Sequence, residues 1–216
     1  MQFAVFRNYS SGPLAVLQYS AWKSNPEDLR EFLKNTTASG GQGNEAIEIG
    51  LWHANQQADV RRVILIGDAA GNSDKETAEK RAGFGNTRWN KTSYETPTTV
   101  SAEVRKLAEK KIPIDCFYVL DRCKQAFESY AQATEGKAFL LDMSPAARGP
   151  GQGRELLIGE NPSKKVCFPS MGHVRVALTV LRTTGHITTS ILQYVGGNQG
   201  DDLVAAYTKK FGKMHS

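Results

Sequence analysis

Hydrophobic residues occur along this chain in short blocks that alternate between two spacings. Phe3-Ala-Val-Phe6 and Leu14–Tyr19 are apolar runs separated by the turn residues Ser11-Gly-Pro13, which predicts a hairpin. Val63-Ile-Leu-Ile66 is an unbroken aliphatic and β-branched run ending at Gly67-Asp68, the pattern of a central strand buried on both faces of a parallel sheet. Ile114–Val119 and Ala138–Leu141 read as two further strands. Between these runs the spacing turns helical. Asn25-Pro26-Glu27-Asp28 opens a helix that stops near Asn35, with Leu29, Phe32 and Leu33 on its apolar side. Ala46, Ile47, Gly50, Leu51 and Ala54 mark one face of a helix over Glu45–Asn55, and Val100, Val104 and Leu107 do so over Thr98–Lys110. Phe127, Tyr130 and Ala131 mark a helix over Lys124–Thr134. Strands alternating with helices predict an α/β layered sheet.

Two regions break the alternation. Ala69–Pro97 is long, polar and carries Gly83, Gly85 and Trp89; it reads as a functional rim loop with some helix at Lys75–Arg81. Ser144–Lys165, with Pro145, Gly149-Pro-Gly-Gln-Gly153 and Pro162, reads as an extended surface segment. Val174–Leu181 suits strand or helix, Ile187–Val195 is helical in pattern, and Asp201-Asp202 open a last helix with Leu203, Tyr207 and Phe211 on its apolar side. The expected organisation is an α/β domain over 1–143, an irregular insertion or linker over 144–186, and a helical segment over 187–216 packed on the domain.

Composition adds exclusions. Hydrophobic residues make up 40% and charged residues 23% of the 216 positions, a globular balance rather than a disordered one. No apolar run approaches the roughly 20 residues of a membrane-spanning helix, so no membrane partner is expected. Met1–Tyr9 carries Arg7 and Asn8 where a signal peptide has an unbroken apolar stretch. The chain therefore reads as intracellular, in the cytoplasm, or as a piece whose beginning lies elsewhere. The net charge is +5, but the basic residues are scattered in pairs such as Arg61/Arg62 and Lys110/Lys111, without an aromatic-interleaved stripe. That is the charge of a solvated surface, and nucleic acid is not the expected partner. Three cysteines, Cys116, Cys123 and Cys167, form no CxxC pair, so neither a disulfide framework nor a zinc knuckle follows.

Candidate chemistry begins with Asp68, at the carboxyl end of a buried strand, where open α/β sheets hold their ligands. A carboxylate there can hold a hard divalent cation, or it can simply cap the following turn. Ser39-Gly-Gly-Gln-Gly-Asn44 precedes a helix and can serve as an anion-cradling loop or as a turn with Asn44 as the helix cap. It lacks the dinucleotide fingerprint and a Walker lysine. Cys116 lies in a buried strand, His53 sits beside an apolar helix face, and no histidine has zinc or triad spacing. No catalytic residue is assigned.

The order of these pieces resembles a known family. Phe3–Tyr9 (FAVFRNY), Ala38–Ala46 (ASGGQGNEA) opening a helix, and Val63–Ala69 (VILIGDA) resemble the von Willebrand factor A domain, and more closely its intracellular type as found attached to atypical alpha-kinases. Ile112–Val119, Phe127–Gly136 and Phe139–Asp142 resemble that family's last two strands and intervening helix, so the likeness covers about residues 2–143. It implies a doubly wound, mainly parallel, Rossmann-like sheet with helices on both faces, lacking its first strand and carrying a C-terminal extension. It also implies a metal-ion-dependent adhesion site, usually for Mg²⁺, that binds an acidic side chain of a partner protein. In the family the metal is held by an Asp-x-Ser-x-Ser turn after the first strand, a Thr or Asp in the Gly-rich loop, and an Asp after the fourth strand.

Asp68 matches the last of these; Gln42 stands where the loop acid belongs, and Asn8 replaces an Asp. The implied site is therefore degenerate, and Mg²⁺ would enter only with the missing element supplied. The implied function is a non-catalytic protein-interaction module with Ser39, Gly41, Asn44 and Asn72 on its binding rim. The alternative is a small-ligand or nucleotide-binding α/β enzyme using the same crevice. The family's first strand lies between its second and fourth, so its absence leaves a slot in mid-sheet. Three outcomes are open: the flanking strands close on each other, a C-terminal element such as Val174–Leu181 fills the slot, or the chain is a fragment.

Overall fold

The two spacings place strands and helices where the chain forms them. The computed structural model describes residues 1–22, 31–32, 35–36, 43–83, 85–90 and 92–140, and the backbone of 154–157, 165–168 and 176–181. β1 (Gln2–Phe6) and β2 (Leu17–Tyr19) form the expected hairpin, with a 3-10 turn at Tyr9–Ser11 between them. α1 (Ile47–Gln56), β3 (Arg62–Gly67), α2 (Asp74–Gly83), α3 (Val100–Glu109), β4 (Ile114–Tyr118), α4 (Lys124–Ala133) and β5 (Ala138–Leu140) follow in α/β alternation. The helix expected over Asn25–Asn35 and the segment 187–216 lie largely or wholly outside the described residues.

The stretch over 144–186, expected to be irregular, carries three strands: β6 (Arg154–Leu157), β7 (Lys165–Phe168) and β8 (Val176–Leu181). β6 and β7 form a separate antiparallel hairpin. β8 enters the main sheet, whose order is β2-β1-β8-β3-β4-β5, so the sheet reaches beyond the boundary expected at 143.

β8 fills the slot between β1 and β3 and runs antiparallel to both. Ala4 pairs with Leu178 on one side, and Leu65 pairs with the same Leu178 on the other. β3 pairs parallel with β4, and β4 with β5. The expectation of a mainly parallel sheet is thus corrected: of the five pairings, three are antiparallel. The reason is direction. A strand that returns from the far end of the chain into a slot between two co-directional neighbours is free to enter either way, and here it enters head to tail.

Alternation along the strands sets the core. Ala4, Phe6, Val63, Leu65, Ile114 and Cys116 join one buried cluster with Ile47, Leu51, Val104, Leu107, Phe127 and Ala131 of the helices. α1 packs on β1 and β8, α4 on β4 and β5, and α3 bridges α1 and α4. These helices close one core, so a layer of helices on each face is not seen among the described residues. Phe3, Val5 and Ile64, which point the other way, are buried as well. Gly50 admits the ring of Phe6, whose nearest atom would lie 2.6 Å from an added Cβ. The end of α4 approaches β4 still more closely: Glu135 takes a left-handed φ of 58°, and a Cβ at Gly136 would lie 2.0 Å from the Ile114 carbonyl oxygen. No helix among the described residues is long and apolar enough to cross a membrane.

Two measurements test this architecture. Leu178→Pro removes a ladder N–H from a strand paired on both sides, and a loss of about 3 kcal/mol or more of stability is expected in denaturant melts. In hydrogen exchange, the Val63–Ile66 amides should be among the slowest in the wild-type chain and fast in the variant. Fast exchange in the wild type would contradict a filled slot. Gly136→Ala pits a methyl group against fixed backbone and should cost roughly 1–3 kcal/mol by the same melt.

Candidate functional site

Two chain segments are zipped together at the carboxyl ends of β1 and β3. Glu45 and Gly71 form a parallel bridge. Glu45 N–H donates to the Ala70 carbonyl at 2.9 Å, and Asn72 N–H donates to the Glu45 carbonyl at 3.0 Å. The loop after β3 therefore runs beside the residues that lead into α1, and Asn44 comes next to Asn72. Asn8, just past β1, joins them: its Oδ1 accepts from Tyr9 N–H at 2.8 Å while its Nδ2 donates to the Asn44 carbonyl at 2.5 Å.

α2 fastens this rim. Its start is a capping box, in which Ser73 Oγ accepts the Glu76 N–H at 3.2 Å and Glu76 Oε2 accepts the Ser73 N–H at 2.8 Å. The Glu76 carboxylate also accepts from Asn44 Nδ2 at 3.0 Å. These donors hold its pKa below the ordinary value, led by the Ser73 backbone N–H. One turn on, Lys80 Nζ donates to the Asn44 carbonyl at 3.0 Å and to Asn72 Oδ1 at 2.5 Å. Positions 76 and 80 share a helix face, so one stripe of α2 grips both sides of Asn44. At the other end of the loop, the exposed Arg122 donates to the Asp68 carbonyl from Nε at 3.3 Å and Nη2 at 3.2 Å.

The adjacent stripe of α2 points inward. Thr77 Oγ1 donates to Glu48 Oε1 at 3.2 Å, and Glu48 is fully buried. Arg81 Cζ lies 4.9 Å from the Trp89 ring and 5.6 Å from the Tyr9 ring, which themselves meet edge to face at 5.2 Å. Its Nη2 donates to the carbonyls of Tyr94 and Glu95 at 2.8 and 2.9 Å, and Trp89 Nε1 donates to the Arg81 carbonyl at 3.2 Å. The polar stretch after β3 is thus a helix and an anchored loop, and Trp89, at 1% exposure, is an internal anchor rather than a rim residue.

Burial raises the Glu48 carboxyl to about 7, against hydrogen bonding that favours the ion. Burial lowers His53 to about 4; its Nε2 meets Gln2 Oε1 at 2.9 Å and its ring stacks on Tyr19 at 4.3 Å. His53 is a packing residue, as its place beside an apolar helix face suggested. Burial likewise raises the Cys116 thiol, leaving it an inert small hydrophobe.

The structure brings Asn44, Asp68 and Asn72 to one end of the sheet, while Ser39, Gly41 and Gln42 lie outside the described residues. Asn44 does not cap α1: the cap position is Ala46, which makes no side-chain cap bond, and the Asn44 amide goes to Glu76 instead. The described part of the rim does not fit a divalent cation. Mg²⁺ demands about six hard oxygens, yet the Asn44 carbonyl already takes Asn8 and Lys80, Asn72 Oδ1 takes Lys80, and Asn8 Oδ1 takes a backbone N–H. Among the described residues no three His, Cys, Asp or Glu side chains gather as a metal group. The ammonium of Lys80 sits on Asn44 and Asn72 at this rim. Sequence reading missed Glu48, Glu76, Lys80 and Arg81; the S-x-x-E spacing at Ser73–Glu76 and the pairs 76/80 and 77/81 were the available signals.

Comparison with protein families, with curated proteins and with solved structures finds no match to this chain.

The two shifted groups oppose each other in pH-dependent stability. Glu48 binds its proton more tightly folded than unfolded, so its contribution is complete below about 4.5 and is lost as pH rises toward 7. His53 binds its proton less tightly when folded, so its contribution is complete above about 6.5 and is lost as pH falls toward 4. In Glu48→Gln the melting temperature should climb with pH between those His53 limits. In His53→Gln it should fall as pH rises from 4.5 to 7. Three superimposable profiles for wild type and both variants would contradict the assignment.

Proposed function

We propose that this chain is a non-catalytic protein-interaction module of von Willebrand A type, acting in the cytoplasm, with a degenerate metal-ion-dependent adhesion site. Its rim engages an acidic side chain of a partner protein without a divalent cation. The observation that carries this reading is the pair of cationic groups on the Asp68–Asn72 loop: Arg122 on its first carbonyl and Lys80 on its last side chain. A lysine has three N–H donors. Two of those on Lys80 organise Asn44 and Asn72, which leaves the charge at the rim while the half-buried stem keeps it in place. A fixed ammonium attracts a carboxylate as a bound metal would, with weaker and less directional force. The resemblance supplies the domain type; the rim chemistry supplies the charge of the partner.

Peptide arrays of varied charge, probed with wild-type protein, Lys80→Gln and Arg122→Gln, test the reading. Acidic peptides should dominate the wild-type hits, with affinity about tenfold weaker in Lys80→Gln and lower in Arg122→Gln. EDTA should leave both unchanged. Hits that require added Mg²⁺, or a calorimetric isotherm for nucleotide with none for acidic peptide, would overturn it in favour of the metal-dependent or small-ligand alternatives.

A further inference from the structure

Two buried carboxylates sit at opposite ends of the helical layer, and their surroundings differ. Glu103 is enclosed by donors: Asn55 Nδ2 at 2.8 Å, Thr98 Oγ1 at 2.5 Å and Lys106 Nζ at 2.6 Å. Both of its oxygens are therefore satisfied by hydrogen bonds. Glu48, equally buried, has one closed side-chain bond, from Thr77 to Oε1. Its Oε2 has no partner within hydrogen-bond geometry, and neither do the Tyr9 hydroxyl, Asn72 Nδ2 and Arg81 Nη1. Tyr9 and Asn72 nonetheless face this carboxyl closely enough to act on its ionisation. Unmade hydrogen bonds of this kind cost the folded state, and they leave the carboxyl able to change charge.

Asn72 joins this buried group to the rim. An ammonium only donates, so the Asn72 atom bonded to Lys80 Nζ is its oxygen, which leaves the amide nitrogen buried and without a closed bond, as Glu48 Oε2 is. Asn72 therefore holds the rim cation with its side-chain oxygen, while its backbone N–H holds the Glu45 carbonyl one turn before Glu48, and Thr77, three residues before Lys80 on α2, holds Glu48 itself.

We propose that Glu48 is a proton switch that acts on the rim through Asn72, setting how strongly the Lys80 end of the rim attracts an acidic partner. The partner's charge rests on the reading given under Proposed function; the switch itself does not. With Glu48 ionised, the carboxylate draws the Asn72 amide nitrogen, holds its oxygen on Lys80, and sets a negative charge behind the rim. With Glu48 protonated, that charge is gone, the carboxyl O–H becomes a donor, and the positive potential at the rim is undiminished. An anionic partner then binds with uptake of a proton, and more tightly at lower pH.

The other groups that face Glu48 do not compete for the transition. Tyr9, from the 3-10 turn, and Tyr130, from α4, are both pushed above their ordinary range by burial and stay neutral. Thr77 does not titrate, and the Arg81 guanidinium, 5.6 Å from the Tyr9 ring, makes no hydrogen bond to Glu48. Burial pushes the Glu48 carboxyl up to about 7, so the switch operates at ordinary pH.

The test uses the full chain without a partner. NMR titration from pH 5.5 to 8.5 follows the Glu48 carboxyl carbon, the Asn72 side-chain amide and the Lys80 Nζ environment. All three should move with a common midpoint near 7, and the Asn72 and Lys80 changes should vanish in Glu48→Gln. Asn72→Ala, which cuts the relay and leaves the carboxyl, should keep the Glu48 transition and lose the Lys80 response. A Glu48 midpoint below 5.5, or an Asn72 amide indifferent to it, overturns the switch whatever the rim binds. With an acidic peptide as probe, wild-type affinity should be about tenfold tighter at pH 6 than at pH 8, and flat in Glu48→Gln. Failure to bind any acidic peptide while the partner-free titration holds overturns the proposed partner and leaves the switch standing.

Discussion

Two strands that run the same way, one strand-width apart, present facing rows of N–H and C=O groups that cannot stay buried and unpaired. β1 and β3 are such a pair, and β8 satisfies both rows at once. Everything at the top of the sheet depends on this. β8 sets the spacing between the carboxyl ends of β1 and β3, and those ends deliver Asn8 and Asp68 to the same rim. Without it, the Asn8–Asn44 contact and the Glu45–Gly71 bridge would have no common frame. The strand comes from the far side of two other elements, so the frame is closed by a long-range contact, slow to form in folding but paired along its whole length.

The rim above that frame is built by a single short helix. α2 carries little apolar surface, and it is held by polar bonds on two adjacent stripes. One stripe, Glu76 and Lys80, ties down Asn44 and Asn72. The other, Thr77 and Arg81, reaches Glu48 and the carbonyls of the following loop. Arg81 beside the touching rings of Tyr9 and Trp89 combines cation–π attraction with two carbonyl acceptors, which offsets the cost of burying a guanidinium. A helix fixed in this way positions a charge at the rim and another polar group in the interior within one turn. That closeness is what lets an event at one reach the other.

Much of the local structure was legible. The run Val63–Ile66 announced an interior strand, of which Val63, Ile64 and Leu65 are buried, and Ala46, Ile47, Gly50, Leu51 and Ala54 announced the side of α1 that is buried. Asp68 was placed at the correct end of its strand. The site itself was mostly hidden. Lys80 in isolation reads as solvated surface charge, and Glu48 falls beside a helix face already crowded with apolar residues. Nothing in either residue's neighbourhood along the chain says that Asn72 will stand between them. The polar composition of Ala69–Pro97 pointed to a rim loop with some helix at Lys75–Arg81, because polarity cannot distinguish solvent from a buried network in which carbonyls accept from Arg81 Nη2 and Trp89 Nε1.

Given the slot that the resemblance implies between β1 and β3, sequence by itself determined most of the described strands and helices over 1–140 and which of their faces turn inward. Those follow from spacing, capping residues and backbone sterics, all of which act over a few positions. Only the tertiary structure decided that the slot holds β8, that it runs antiparallel, and that an ammonium occupies the rim. Backbone edges accept any strand in either direction, and the partners of a charged side chain are chosen by what the folded chain brings beside it.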